Sequence, residues 1–264
     1  MSFWQICINI FRTYAPSFLL GVRTTLIVSL SGTLIGLAIG LVIGGFRAVR
    51  LDYTASFAAK AVKKIFDLLT KLYIDVFRGT PMMVQAVFLY YALLNVIHWD
   101  KMTAAVAVIS INTGAYMAEI VRSGIQAVDP GQNEAARSLG MSSMQTMMNV
   151  VLPQAIRNAF PAIGNELIVN IKDSSVLNVI SVSELFFQAK SAAGTYYKYF
   201  EVFFIIAVIY LVLTLTVSRI LRFVEKKMDG PDNYVICGSQ SDSRSEIVVS
   251  KEQEEEVDRQ WQSK

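Results

Sequence analysis

Five polar residues recur at helical spacing within an apolar part of the sequence, and their types could bind a charged solute. They are Asn112, Tyr116, Glu119, Arg122 and Gln126, which share one face of a helix because residues three or four apart are surface neighbours. A carboxylate inside a membrane span costs roughly 2.5–3.5 kcal/mol on insertion scales, so Glu119 has to face protein or water. Two roles fit. The stripe could line a pathway where Asn112 and Glu119 meet the polar groups of a zwitterion, or Glu119 could pair with Arg122 and fix the helix register.

Residue patterns for covalent chemistry are absent from the sequence. It has no Gly-x-x-x-x-Gly-Lys-Ser/Thr loop for nucleotide phosphates, no Gly-x-Ser-x-Gly elbow and no cysteine or histidine cluster with metal-ligand spacing. The single histidine, His98, adjoins Trp99 at the end of an apolar run. We therefore expect no catalytic residue, no metal site, no bound cofactor and no nucleic-acid partner. Uphill movement of a solute would need energy from another subunit.

Long apolar runs have to position the polar stripe. Of the 264 residues, 53% are hydrophobic and 17% charged, against about a quarter charged in soluble domains. The runs predict an all-α integral membrane protein with five spans, since each is long enough to cross a bilayer as a helix. The expected spans are residues 22–46, 79–98, 102–124, 146–171 and 200–222. The aromatic and apolar residues of segment 1–18 predict an additional N-terminal interfacial helix.

Basic residues predict the orientation, because Lys and Arg near span ends stay on the cytoplasmic side. The loops on one side (47–78, 122–157 and 219–227) hold 14 Lys and Arg, against 6 in the loops on the other side (1–23, 98–101 and 172–198). We expect a multi-pass membrane protein with its N-terminus outside and its C-terminus inside.

Three further segments have simple patterns. Apolar and charged residues alternate at helical spacing over 58–77, which predicts a basic amphipathic helix at the inner membrane surface. Glycines at every fourth position of the first span, from Gly32 to Gly44, favour a static packing seam over a sliding face. Segment 228–264 carries nine acidic and four basic residues with few large apolar groups, which predicts a disordered cytoplasmic tail.

A short helix interrupts the apolar sequence at residues 129–145. Asp129 is a good N-cap, Pro130 suits the first helical position, and Gly140 suits the left-handed residue after the helix. Ser142 and Gln145 have the spacing of a capping box that restarts a helix. A ten-residue helix is unstable alone in water. Either its exposed residues Ala135, Ala136 and Leu139, beside Glu134 and Arg137, fit a socket on another protein, or the helix packs on its own membrane domain.

A family resemblance rests on this loop. The run EAARSLG at residues 134–140, followed by LPQA at 152–155, resembles the EAA loop of permease subunits in bacterial ABC importers. FRGTPMMVQ (77–85), NTGAYMAEIVRSGI (112–125) and IKDSSVLNVISVSEL (171–185) resemble its polar-amino-acid branch, which includes permeases for histidine, glutamine, arginine and glutamate. The resemblance covers roughly residues 15–226 and implies the methionine-permease-like fold of type I importers. It also implies that the protein lies in the bacterial cytoplasmic membrane.

The resemblance implies a function, partners and site residues. The chain would be the membrane subunit of an ATP-driven importer of polar amino acids, within transmembrane domain 19–227. Its partners would be a dimer of cytoplasmic ATPase subunits that bind ATP and Mg, a second permease subunit and an extracytoplasmic solute-binding protein. The loop would be the coupling helix that contacts the ATPase. Its expected contact residues are Glu134, Ala135, Ala136, Arg137, Leu139 and Gly140.

Two points stay open at this stage. Pro153 and Pro161 each remove a backbone hydrogen bond, so they are hinges or fixed bends of the fourth span. An ion-coupled secondary carrier of small polar solutes is the alternative function. Such carriers show internal repeats and paired broken helices, whereas five spans do not divide into two equal halves.

Overall fold

The fold is a set of long helices joined by short connections. The computed structural model describes residues 2–48 and 56–229 and the backbone of residues 235–236 and 247–248. Its helices are α1 Phe3–Ala48, α2 Phe57–Gly79, α3 Met82–Ile97, α4 Lys101–Gln126, α5 Pro130–Ser138, α6 Ser143–Thr146, α7 Leu152–Asp173, α8 Leu185–Tyr196 and α9 Tyr199–Asp229. A π-helical segment, Met147–Val151, precedes α7, and a 3₁₀ helix, Ser174–Ile180, follows it. The all-α fold predicted from the sequence is confirmed for the membrane domain.

Side chains at the helix starts hold several of these boundaries. Ser56 caps α2 through the amide of Ala59, and Asp100 caps α4 through the amide of Thr103. The Thr103 amide and hydroxyl lower the pKa of Asp100 from its ordinary value because they stabilise the carboxylate. Helix α3 ends at its C-cap, His98, whose left-handed φ of 51° turns the chain toward α4.

Helix α1 differs from the sequence prediction. A separate interfacial segment was expected over residues 1–18, but residues 3–48 form one continuous helix with Pro16 inside it. The first half is held by tertiary packing, since Cys7, Ile10 and Phe18 are buried in one cluster with residues of α8 and α9. Burial of this face outweighs the disruption that Pro16 causes inside the helix. The interfacial placement of segment 1–18 stays a prediction.

Three described helices, α1, α4 and α9 up to Met228, are long and apolar enough to cross a membrane. A fourth span is possible if α2 and α3, which meet at a bend of 114°, count as one. This bend agrees with the prediction of an amphipathic helix that leads into a span. Helix α7 carries Arg157, Glu166, Lys172 and Asp173, which lower its hydropathy. Its 22 residues would still extend about 33 Å. The count of five spans stays a prediction.

Helices α1 and α4 form the central packing contact. Gly32, Gly36, Gly40 and Gly44 are buried, and each approaches a residue of α4. A Cβ on Gly36 would lie 2.8 Å from the Cβ of Thr113, and one on Gly40 would lie 2.7 Å from the carbonyl carbon of Met117. The glycines therefore bring the backbones together. The predicted packing seam is confirmed.

The chain divides into two units, residues 1–221 and 222–264. The second unit contains the end of α9 and an antiparallel pair of two-residue strands, β1 Val235–Ile236 and β2 Ile247–Val248, with Val235 opposite Val248. The disordered tail expected over residues 228–264 stays a prediction, because apart from these two strands it lies outside the described residues beyond residue 229.

Candidate functional site

The short helix α5 is built by local capping, as the sequence predicts. Asp129 accepts a hydrogen bond from the amide of Gly131 at 2.7 Å, and Pro130 stands in the first turn of α5. Gly140 ends the helix with a φ of +83°, a conformation that favours glycine. Ser142 and Gln145 form the capping box that starts α6. The loop is thus a rigid helix–turn–helix rather than an irregular connection.

The residues expected to contact another protein differ in exposure. Leu139 is 85% exposed, whereas Ala136 is only 5% exposed and packs on the chain itself. Glu134, Ala135 and Arg137 are exposed. The expectation that Ala136 offers an outward contact is therefore wrong, because α5 rests on α6 and on the π-helical segment through this side. The two alternatives for α5 both hold in part: one side packs on the membrane domain, and the side with Leu139 has no cover among the described residues.

A π-helical segment that the sequence analysis did not predict packs against α5. Residues 147–151 form a π-helix, and Pro153 follows within the first turn of α7. A π-helical turn carries an extra residue and often occurs at functional sites. Val128, Val151 and Ala155 form a small buried cluster beneath the loop. Pro161 lies inside α7, so both predicted hinge residues lie on the helix that follows the loop containing α5.

Glu119 lies between two arginines. Its Oε1 accepts a hydrogen bond from Arg47 of α1 at 2.7 Å, and its Oε2 accepts from Arg122 at 2.7 Å. The side chain of Glu119 is 22% exposed. The predicted pair with Arg122 is confirmed, and Arg47 is a third member that spacing along one helix could not reveal. Both carboxylate oxygens are therefore occupied.

Asn112 holds the bend between α2 and α3. Its Nδ2 donates to Oε1 of Gln85 at 2.8 Å and to the carbonyl of Phe77 at 3.2 Å. Gln85 in turn donates to the carbonyls of Phe77 and Thr80. These bonds satisfy backbone oxygens that the interrupted helix leaves unpaired.

Arg78 lies beside Tyr116 and also acts on Glu166, a buried carboxylate that the sequence analysis did not select. The guanidinium carbon of Arg78 is 5.3 Å from the centre of the Tyr116 ring. Glu166 of α7 is 9% exposed, and no hydrogen bond to its carboxylate occurs among the described residues. Arg78 and Asp173 are the charged groups that act on Glu166. The sequence did contain a signal for Glu166, since an acidic residue within an apolar run is often functional.

The fold and the coupling loop can now be compared with known proteins. Residues 53–230 match a family described as "Binding-protein-dependent transport system inner membrane component". The chain belongs to this family. The matched range contains the loop with α5, the polar stripe and Glu166, whereas Arg47 lies before it.

Relatives in this family support the same assignment over nearly their whole length. The chain is 38% identical over 216 residues to the glutamine transport system permease protein GlnP of Escherichia coli K12, covering 81% of this chain and 93% of the relative. It is 35% identical over 219 residues to the arginine transport system permease protein ArtQ of Bacillus subtilis, covering 82% and 94%.

Two solved structures share the fold. One chain from a structure titled "Crystal structure of an amino acid ABC transporter with histidines" is 40% identical, with a TM-score of 0.72 and coverage of 86% of this chain and 99% of that one. A chain of the MetNI methionine ABC transporter in an inward-facing conformation has a TM-score of 0.65 at 18% identity, covering 80% and 95%. The second similarity supports the type I importer fold alone.

Proposed function

We propose that this chain is the translocating subunit of an ATP-driven importer of polar amino acids. The relatives that carry glutamine or arginine in their names support this substrate class. The observation that carries the coupling part is Leu139, 85% exposed at the end of a capped helix that is otherwise anchored by Ala136. An apolar side chain on a rigid support has the properties of an anchor residue for another protein.

The assembly follows from this role. A dimer of cytoplasmic ATPase subunits holds ATP and Mg and receives α5 through Leu139, Ala135, Glu134, Arg137 and the Gly140 turn. A second permease subunit completes the pathway, and an extracytoplasmic solute-binding protein delivers the amino acid. The excess of Lys and Arg in the loops that include α5 supports a cytoplasmic location for this helix and an outside N-terminus.

Transport then requires two states with different affinity for the solute. Pro153, the π-helical segment and Pro161 lie between α5 and the upper part of α7. We assign them the hinge role, since a turn with altered hydrogen bonding bends more easily than a regular α-helix. Movement of α5 on nucleotide binding would reach α7 through this segment.

Tyr116 is the pathway residue with the strongest support within the polar stripe. Arg78 beside it offers a cation to the carboxylate of an amino acid, and Glu166 offers an anion to the ammonium group. Charge-assisted hydrogen bonds of this kind are stronger than neutral ones. A zwitterion can satisfy both groups together, which supports a polar amino acid as the solute.

Glu119, Arg122 and Asn112 have a positioning role in this proposal. The hydrogen bonds of Glu119 to Arg47 and Arg122 support the register role over direct solute contact. The bonds of Asn112 to Gln85 and Phe77 support a role in shaping the pathway near the α2–α3 bend.

Uptake with the ATPase partner tests the coupling role. The complex with Leu139→Glu is reconstituted in proteoliposomes, and ATP-dependent uptake of labelled glutamine and arginine is measured. We expect uptake to fall by at least about tenfold, because loss of an apolar anchor costs about 2 kcal/mol or more. Thr195→Glu introduces the same charge at an exposed position of α8 and should leave uptake unchanged. Wild-type uptake by Leu139→Glu would disprove the coupling role.

A further inference from the structure

A polar cavity lies between three helices at one end of the α1–α4 pair. Its volume is about 410 Å³, and it is lined by Arg47 of α1, Arg122 of α4 and, from α2, Lys64, Asp67, Leu68 and Lys71. Arg47 directly follows the uncharged run that ends at Phe46. The cavity therefore lies where an apolar span reaches the membrane surface, at the level of lipid headgroups.

The charges around this cavity do not balance. Arg47, Lys63, Lys64, Lys71 and Arg122 are cations, against the carboxylates of Asp67 and Glu119. Lys63 pairs with both oxygens of Asp67, at 2.5 and 2.7 Å, and Glu119 is shared by the two arginines.

Lys64 and Lys71 are the two cavity cations whose charge is not paired with a carboxylate of the described residues. Both are exposed, and neither has a hydrogen bond or ion pair among the described residues. Within the part of the chain that the structure describes, the two lysines that line the cavity thus lack an anionic partner, so an anion can bind there.

The cavity borders an apolar surface. Ile65, Leu68 and Leu72 of the same helix are 59%, 67% and 60% exposed, and Leu68 also lines the cavity. A ligand that fits both surfaces carries a compact anionic group and a hydrocarbon chain. A free anion would use only the cationic part.

We propose that this cavity binds the phosphate group of an anionic phospholipid. Guanidinium and ammonium groups bind phosphate oxygens through charge-assisted hydrogen bonds, and basic pockets between spans bind anionic headgroups. The phosphate lies between Lys64, Lys71 and Arg122, while the acyl chains lie along Ile65, Leu68 and Leu72. A phosphate shared by residues of α2 and α4 holds α2 against the central helix pair.

Binding to the purified complex tests this site. The probes are dioctanoyl phosphatidylglycerol, dioctanoyl phosphatidylcholine and glycerol 3-phosphate, titrated into the complex in neutral detergent and followed by native mass spectrometry. The variant is Lys64→Gln with Lys71→Gln, since neither lysine has a partner in residues 2–48 or 56–229 whose loss would disturb folding. The control with the same change of charge is Lys190→Gln with Lys198→Gln. These two exposed lysines lie in α8 and in the connection between α8 and α9.

We expect the wild type to bind phosphatidylglycerol more tightly than the other two probes. The Lys64 and Lys71 variant should lose roughly 30-fold in affinity for it, since each lysine near a headgroup contributes about a factor of five. Replacement of both lysines by arginine should keep the binding, and the control pair should have no effect.

Three results would each overturn the proposal. The first is unchanged phosphatidylglycerol affinity in the glutamine variant, and the second is equal affinity for phosphatidylcholine. The third is equal affinity for glycerol 3-phosphate, which would make the cavity a site for a free anion. Because binding is measured without transport, each of these results leaves the proposed amino-acid import intact.

Discussion

The side-chain amide of Asn170 is hydrogen-bonded to two threonines on two other helices. Its Nδ2 donates to Thr33 of α1 at 2.8 Å and to Thr113 of α4 at 3.0 Å, and the Thr113 hydroxyl donates to Oδ1 of Asn170 at 3.1 Å. Ser29 also donates to the Asn170 carbonyl at 3.0 Å. A single buried residue of α7 thereby joins α7 to the α1–α4 pair.

Asn170→Ala should lower the free energy of unfolding by about 1–2 kcal/mol, because it leaves buried hydroxyls without their partner. Unfolding by sodium dodecyl sulfate in mixed micelles measures the change. A double-mutant cycle with Thr33→Val isolates their bond, and simple additivity of the two effects would show that this bond contributes nothing.

Two glycines of α1 give a matched pair for testing the packing seam. A Cβ on Gly40 would lie 2.9 Å from the amide of Ala118, whereas one on Gly45 meets nothing within 4 Å. We expect Gly40→Ala to destabilise the protein by about 1–3 kcal/mol through overpacking. Gly45→Ala should instead stabilise the helix by about 0.5–1 kcal/mol. Thermal unfolding of both variants measures this difference, and equal midpoints would contradict the close approach of α1 and α4.

Glu119→Gln separates the two roles that spacing left open. The change removes the negative charge between Arg47 and Arg122, and we expect a modest loss of stability, about 1 kcal/mol, since the cluster is partly exposed. Competition among amino acids in proteoliposome uptake should keep its ranking. An altered ranking would instead assign Glu119 to direct solute contact.

Glu166→Gln should reduce uptake of the transported amino acid by at least about tenfold, because a charge-assisted hydrogen bond to the ammonium group is lost. Glu201→Gln at the start of α9 is the control. Uptake and ATP hydrolysis are measured together on the same complex. Normal uptake by Glu166→Gln would remove this carboxylate from the pathway.

Features that depend on neighbouring residues in the chain could be predicted from the sequence. The caps of α5 and α6 need only Asp129, Pro130, Gly140, Ser142 and Gln145 in order. The glycine seam follows in the same way from a four-residue repeat, because every fourth residue returns to nearly the same helix face.

Features that depend on contacts between distant segments could not be predicted. Ala136 and Ala135 are adjacent and alike, and only the packing of α5 on the π-helical segment decides which one is buried. Arg47 reaches Glu119 across 72 positions in sequence, and Asn170 reaches Thr33 across 137. Spacing along one helix contains no information on such partners.

The interlocked glycines have a mechanical consequence. Helices that approach closely at four successive turns resist sliding past each other, so we expect α1 and α4 to move together as one unit. Any exchange between outward and inward openings then has to be absorbed in the segments around this helix pair, such as the π-helical turn at residues 147–151 beside the proposed ATPase-binding loop.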